Sequence, residues 1–144
     1  MGRAIYVSSV NGDDANSGYA PEKAFRSLRK VNQMEIQPGD QILLERGSVF
    51  VGEYLHLYRG GTKEAPVVVD AYGEGALPRI ETDGNGIWYQ NYGGHLDNVV
   101  HTWKGYLSSA VLLYDAEYIS IRNLEITNNP CCLLYTSDAA DDLI

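Results

Sequence analysis

The segment Ile119-Ser120-Ile121-Arg122-Asn123-Leu124-Glu125-Ile126 limits what this chain can fold into more than any other stretch. Ile119 and Ile121 alternate with polar neighbours, Leu124 and Ile126 do so again, and Asn123 stands between the pairs. Alternation is the period of a strand with one buried face. The segment therefore reads as two short strands facing one interior, joined at a corner whose amide can bond backbone in its own or the neighbouring turn of chain.

Similar runs recur upstream. β-prone stretches cover Ile5 to Val7, Gln41 to Glu45, Val49 to Leu57, Val67 to Tyr72, Arg79 to Glu81, Val111 to Tyr114, Tyr118 to Ile121 and Leu124 to Thr127, separated by Gly-rich turns. Asn11-Gly12 and Asp83-Gly84 are hairpin-type dipeptides, yet neither joins two matched strands. Ile42 and Val67 stand about 25 residues apart, within the range of repeats that stack as a solenoid. One helix interrupts this plan: Phe25, Leu28, Val31 and Met34 recur every third residue over two turns, with Ser27 as N-cap and Pro38-Gly39 as stop.

Composition fits a chain that buries a core, at 44% hydrophobic residues. The last residues need separate treatment. Cys132 to Asp142 back-translates as a frame through the adaptor of transposase-based sequencing libraries, and a Cys131 codon fits the preceding base. Native sequence is therefore expected to run to about Pro130, with 131–144 a non-native tail and 1–130 the incomplete start of a longer protein from metagenomic DNA. Without Asp138, Asp141 and Asp142 the 19 acids become 16 against 11 bases, a charge of −5 in place of −8. A mildly acidic chain is a poor match for a phosphate backbone, so no nucleic-acid partner is expected. No segment is long enough to span a bilayer. Both cysteines lie at or beyond the junction, which leaves no disulfide framework and no Cys-based metal site.

The order of motifs resembles the N-terminal region of right-handed parallel β-helix proteins of the pectate-lyase-like superfamily. The resemblance rests on the short strand Ile5 to Ser8, the turn-rich loop Asn11 to Gly18, the Pro21 to Leu28 helix start, the Pro38 to Glu45 strand, the Ala65 to Gly75 unit and the Asn123 corner. It implies an all-β solenoid whose first coils are closed by a short N-terminal capping helix, with Phe25, Leu28, Val31 and Met34 covering the open end. It also implies a secreted or cell-surface bacterial protein acting on a polysaccharide or glycan, as a lyase or a glycoside hydrolase. The catalytic residues would lie in later coils, and no catalytic motif can be matched here; Ca²⁺ is a cofactor of some members and is left open for the full-length parent. The alternative is a non-catalytic surface or phage-type β-helix that binds glycans or partner proteins.

Several local clusters bear on chemistry. Glu81 and Asp83 have the look of a glycosidase carboxylate pair, although surface solvation explains them more simply. Asp13, Asp14 and Asn16 offer oxygen ligands but lack the Ca²⁺-loop order, so turn chemistry accounts for them better. His56, His95 and His101 lack zinc spacing, and no metal site is expected. Gly84 to Tyr106 departs from the superfamily pattern as a long insertion holding both tryptophans. Trp88, Tyr89, Tyr92, Trp103 and Tyr106 are the candidate substrate-binding residues, because flat amphipathic rings beside amides and bases suit a sugar face. Packing of a long loop against the outside of the solenoid is the competing reading.

Overall fold

The computed structural model describes residues 2–83, 87–93, 103–114, 116–127 and 131–136. These residues are mostly β, with parallel strands in several small sheets and one short α-helix, α1 (Leu28–Asn32). The strands are β1 (Ala4–Val7), β2 (Gln41–Glu45), β3 (Val49–Val51), β4 (Leu55–Tyr58), β5 (Val67–Tyr72), β6 (Arg79–Glu81), β7 (Ile87–Gly93), β8 (Trp103–Tyr114), β9 (Ile119–Ile121), β10 (Glu125–Thr127) and β11 (Cys131–Thr136). One sheet has the order β1-β2-β5-β9, a second β3-β6-β10 and a third β4-β8-β11, and every pairing within them is parallel. From β2 onward the chain visits these sheets in the same order on three successive passes.

Alternating side chains explain the registers. Ile42 and Leu44 of β2 are buried while Gln41 is exposed, and Ile42 lies opposite Val69 and Leu44 opposite Ala71. In the second sheet Phe50, Ile80 and Ile126 share one register position; in the third, Leu55 meets Val111 and Leu57 meets Leu113. Stacked inward residues of this kind form one core cluster, to which each fully buried Leu, Ile or Phe contributes roughly 1.5–3 kcal/mol. The repeat thus aligns Ile42 with Val69, two residues beyond the Val67 expected from sequence, because the buried Asp40 occupies the inward position ahead of Ile42.

The Asn123 corner forms as the alternation implied. Asn123 adopts φ 55 between β9 and β10, and its Nδ2 donates to Asp70 Oδ1 at 2.8 Å on the neighbouring strand of the first sheet. Ile119, Ile121, Leu124 and Ile126 are partly buried against the core.

Other elements differ from the expectation. Val49 to Leu57 is not one strand: Gly52 adopts φ 73 and turns the chain from β3 in the second sheet to β4 in the third. A glycine inside a strand-like run marks such a bend. The helix is shorter than two full turns of pattern suggested, because the Gln33 N–H bonds the Arg29 carbonyl and the Met34 N–H the Val31 carbonyl, closing the last turn well before Pro38. Phe25, Leu28 and Val31 are buried and Met34 partly so, and α1 packs against β4 at the end of the third sheet. Phe25 itself forms a parallel bridge with Val7, and Gly18, at φ 82, leaves room for its ring: a Cβ there would lie 2.4 Å from Phe25 Cε2.

Within the long insertion, Ile87–Gly93 and the start of Trp103–Tyr114 are strands rather than loop. β7 and β8 form an antiparallel ribbon, and β8 then continues into the third sheet between β4 and β11. Aromatic and β-branched residues at Ile87 to Tyr92 and Trp103 to Leu107 favour extended backbone. Cys131–Thr136, from the stretch read as an adaptor-derived tail, is placed parallel to β8.

Candidate functional site

The five aromatic candidates fall on the β7–β8 ribbon. Tyr89 lies opposite Tyr106, Trp88 opposite Leu107 and Gly93 opposite Trp103, with an irregularity between Asn91 and Gly93 beside Tyr92. Backbone register thus gathers on one ribbon residues that the sequence separates by an intervening stretch, and it does so as strands rather than as a loop. His95 and His101 lie outside the described residues.

The acidic candidates are spread apart in role. Asp13 Oδ1 accepts the Ala15 N–H at 2.9 Å, a local turn. Asp14 accepts from the Arg26 and Ser27 N–H groups, each at 2.9 Å, and from Ser27 Oγ at 2.7 Å. Burial pushes its carboxyl upward, but these three donors, with Arg29 nearby, hold it below the usual carboxylate range. Asn16 Nδ2 donates to the Ala24 carbonyl. All three side chains therefore serve the loop, and among the described residues no group of three His, Cys, Asp or Glu could hold a metal ion. His56 lies on β4, its ring tilted against Tyr54 at 4.3 Å between centroids.

Glu81 and Asp83 occupy different settings. Glu81 projects from the outward face of the second sheet, 3.9 Å from Arg79, whereas Asp83 is exposed in the turn after β6 at φ 51. On that outward face Val49, Arg79 and Glu125 share one register position and Val51, Glu81 and Thr127 the next. Arg79, Glu81 and Glu125 are thus carried on one face, beside the exposed Val51. Among the described residues, Arg79 Nε and Thr127 Oγ1 are buried without a hydrogen-bond partner.

A third location was not anticipated from sequence. The turn Gly52-Glu53-Tyr54 between β3 and β4 meets the start of α1, and Ser27, Arg29, Asn32, Gly52, Glu53 and Tyr54 line a cavity of about 270 Å³. Ser27 holds the backbone geometry of an N-cap, but its hydroxyl bonds Asp14; Glu53 Oε1 instead accepts the Leu28 N–H at 2.8 Å. Burial and the charge of Asp14 push the Glu53 carboxyl up, against the lowering effect of that N–H. Asn32 braces the turn from the helix, donating through Nδ2 to the Tyr54 carbonyl at 2.9 Å and accepting the His56 N–H at 2.8 Å. The glycine inside an otherwise strand-like run was the signal for this bend.

No family model matches the chain. It is 41% identical over 135 residues to a lacto-N-biosidase of Bifidobacterium longum subsp. longum, a match covering 89% of this chain and 8% of that protein. Crystal structures of the native protein and of the selenomethionine derivative of the GH136 lacto-N-biosidase from Eubacterium ramulus match it at 56% identity and a TM-score of 0.79. They cover 88% of this chain and 20% of theirs, so the chain spans only a small part of the relatives it matches, and over that part it is similar in sequence and fold to GH136 lacto-N-biosidases.

Proposed function

We propose that this chain is the N-terminal part of a secreted or cell-surface bacterial glycoside hydrolase with lacto-N-biosidase activity. The observation that carries the reading is the 56% identity, at a TM-score of 0.79, to the Eubacterium ramulus enzyme. Within it, residues 1–130 are the cap and first coils of a right-handed parallel β-helix, and 131–144 are foreign to the natural gene. Two complete passes through three parallel sheets in constant order, with β9 and β10 opening a third, support the solenoid, and the packing of α1 on β4 supports the cap. A hydrolase fits the relatives' names better than a lyase does. In this reading turnover belongs to coils of the intact protein that are not in this chain, and the isolated chain has no activity.

The aromatic ribbon is the proposed glycan contact within this segment. Trp88, Tyr89, Tyr92, Trp103 and Tyr106 lie on paired strands, and aromatic rings bind the C–H face of a pyranose well. The intact protein is expected to release the disaccharide from a chromogenic lacto-N-bioside, and the 144-residue chain to release none. Failure of the intact protein to hydrolyse it, with glycan binding retained, would favour the non-catalytic alternative. Trp88→Ala with Trp103→Ala in the intact protein should weaken glycan affinity at unchanged thermal stability; the reverse outcome assigns these residues to packing.

A further inference from the structure

We infer that the cavity between α1 and the Gly52-Glu53-Tyr54 turn binds a single neutral pyranose ring, at a site separate from the β7–β8 ribbon and independent of the hydrolase reading. Its volume of about 270 Å³ accommodates one sugar ring with some water but not a chain of several. The lining chemistry is that of a sugar site: a Tyr54 ring for C–H stacking, carboxylate oxygens for accepting hydroxyl hydrogens, and the Arg29 guanidinium for donating to ring or hydroxyl oxygens.

Glu53 and Tyr54 are held in place before any ligand arrives. Glu53 Oε1 is fixed by the Leu28 N–H, and among the described residues no hydrogen bond engages its Oε2. Asn32 fixes the Tyr54 backbone, and the His56 ring lies against Tyr54. Among the described residues the Arg29 guanidinium has only a long 3.9 Å contact with Asp14, its side chain 71% exposed, so it can swing to a ligand at little cost. An anion would meet the Glu53 carboxylate, and a cation would meet the Arg29 guanidinium. A neutral, hydroxyl-rich ring satisfies both.

The test uses the 144-residue chain with methyl β-D-galactopyranoside and N-acetylglucosamine as probes, read by saturation-transfer NMR. Transfer to the ring C–H protons of at least one probe is expected, reduced about tenfold by Tyr54→Leu, which fills space without a π face. It should persist in Tyr54→Phe, which keeps the ring, and in Tyr19→Ala, which removes an exposed tyrosine outside the cavity. Since Leu retains apolar bulk, a two-dimensional amide spectrum matching that of the unsubstituted chain establishes that the variant is folded. Absence of transfer from both probes to the unsubstituted chain overturns the inference, as does equal transfer in Tyr54→Leu. Failure of the intact protein to hydrolyse a lacto-N-bioside would leave this result unaffected.

Discussion

Arg3 grips Asp40 with two side-chain nitrogens and its own backbone. Nη2 donates to Oδ2 at 2.6 Å, Nε to Oδ1 at 3.1 Å, and the Arg3 N–H to Oδ1 at 3.1 Å, while the Gln37 N–H donates to Oδ2 at 2.8 Å. Asp40 is fully buried immediately ahead of β2, so this fork ties the entry of β1 to the turn that starts the first pass. Its effect is to fix the β1–β2 register at the end of the first sheet.

Removing that carboxylate strands several donors. Asp40→Ala is expected to lower stability by about 2–3 kcal/mol, less than for a wholly buried pair because Arg3 can still reach water. Burial pushes the Asp40 carboxyl up, but the Arg3 and Gln37 bonds outweigh it and hold the folded-state value below the usual 3.8. A group depressed in the folded state stabilises above its unfolded pKa and loses that contribution as pH falls through the folded value. Urea melts between about pH 5 and pH 2, a window that spans the ordinary carboxylate pKa, should show a shallower acid loss in Asp40→Asn than in the unsubstituted chain.

Glu53 has the opposite sign. Its folded-state carboxyl is raised above 4.5, chiefly by burial, so it is protonated in both states at low pH and costs stability as pH rises through the shifted value. Glu53→Gln keeps an oxygen for the Leu28 N–H and removes the charge. Its melting temperature should exceed that of the unsubstituted chain at pH 7 and match it near pH 4, about where Glu is protonated in both states. A lower value at pH 7 would show that the carboxylate is needed in its charged form.

At Asn123 backbone and side chain can be separated. Asn123→Ala removes the Asp70 bond and leaves a Cβ residue at φ 55 without the local polar support asparagine has there, for an expected loss of about 1–2 kcal/mol. Asn123→Gly loses the same bond but relieves the backbone, and should recover part of that loss in equilibrium denaturation. Equal destabilisation by the two would mean that the left-handed corner is not a source of strain.

Tyr72 offers a spectroscopic check on the face outside the first sheet. Burial, with Glu45 and Tyr6 nearby, pushes its phenol up to about 12, and the Tyr6 ring meets it edge-on at 5.1 Å between centroids. Phenolate absorbance should include a phase at about pH 12 that Tyr72→Phe abolishes. Stability should fall as pH rises from about 10, the ordinary phenol value, toward that phase, since the unfolded chain releases this proton first.

What could be read in the sequence follows from how local each cause is. Ile42 and Leu44 declare their buried face by alternation alone, and Asn123 declares its corner because both flanking pairs point inward. Val49 to Leu57 reads as one strand because its apolar residues run on, and Gly52 divides it only because the chain must pass from one sheet to another. The β7–β8 pairing depends on residues brought together across an intervening stretch, which no local pattern encodes. Among the candidate sites, the aromatics were visible as a composition, but their shared ribbon was not. Glu53 was hidden altogether, since its partner Leu28 lies on another element and Ser27 looked like a sufficient cap.

The most direct measurement is a structure of the intact protein, read at the far edges of β9 and β10. A further parallel strand is expected against each, with Ile121 and Ile126 buried beneath the next pass and the same order of sheets continued. Finding β9 and β10 as terminal edge strands, with the following chain folded elsewhere, would contradict it.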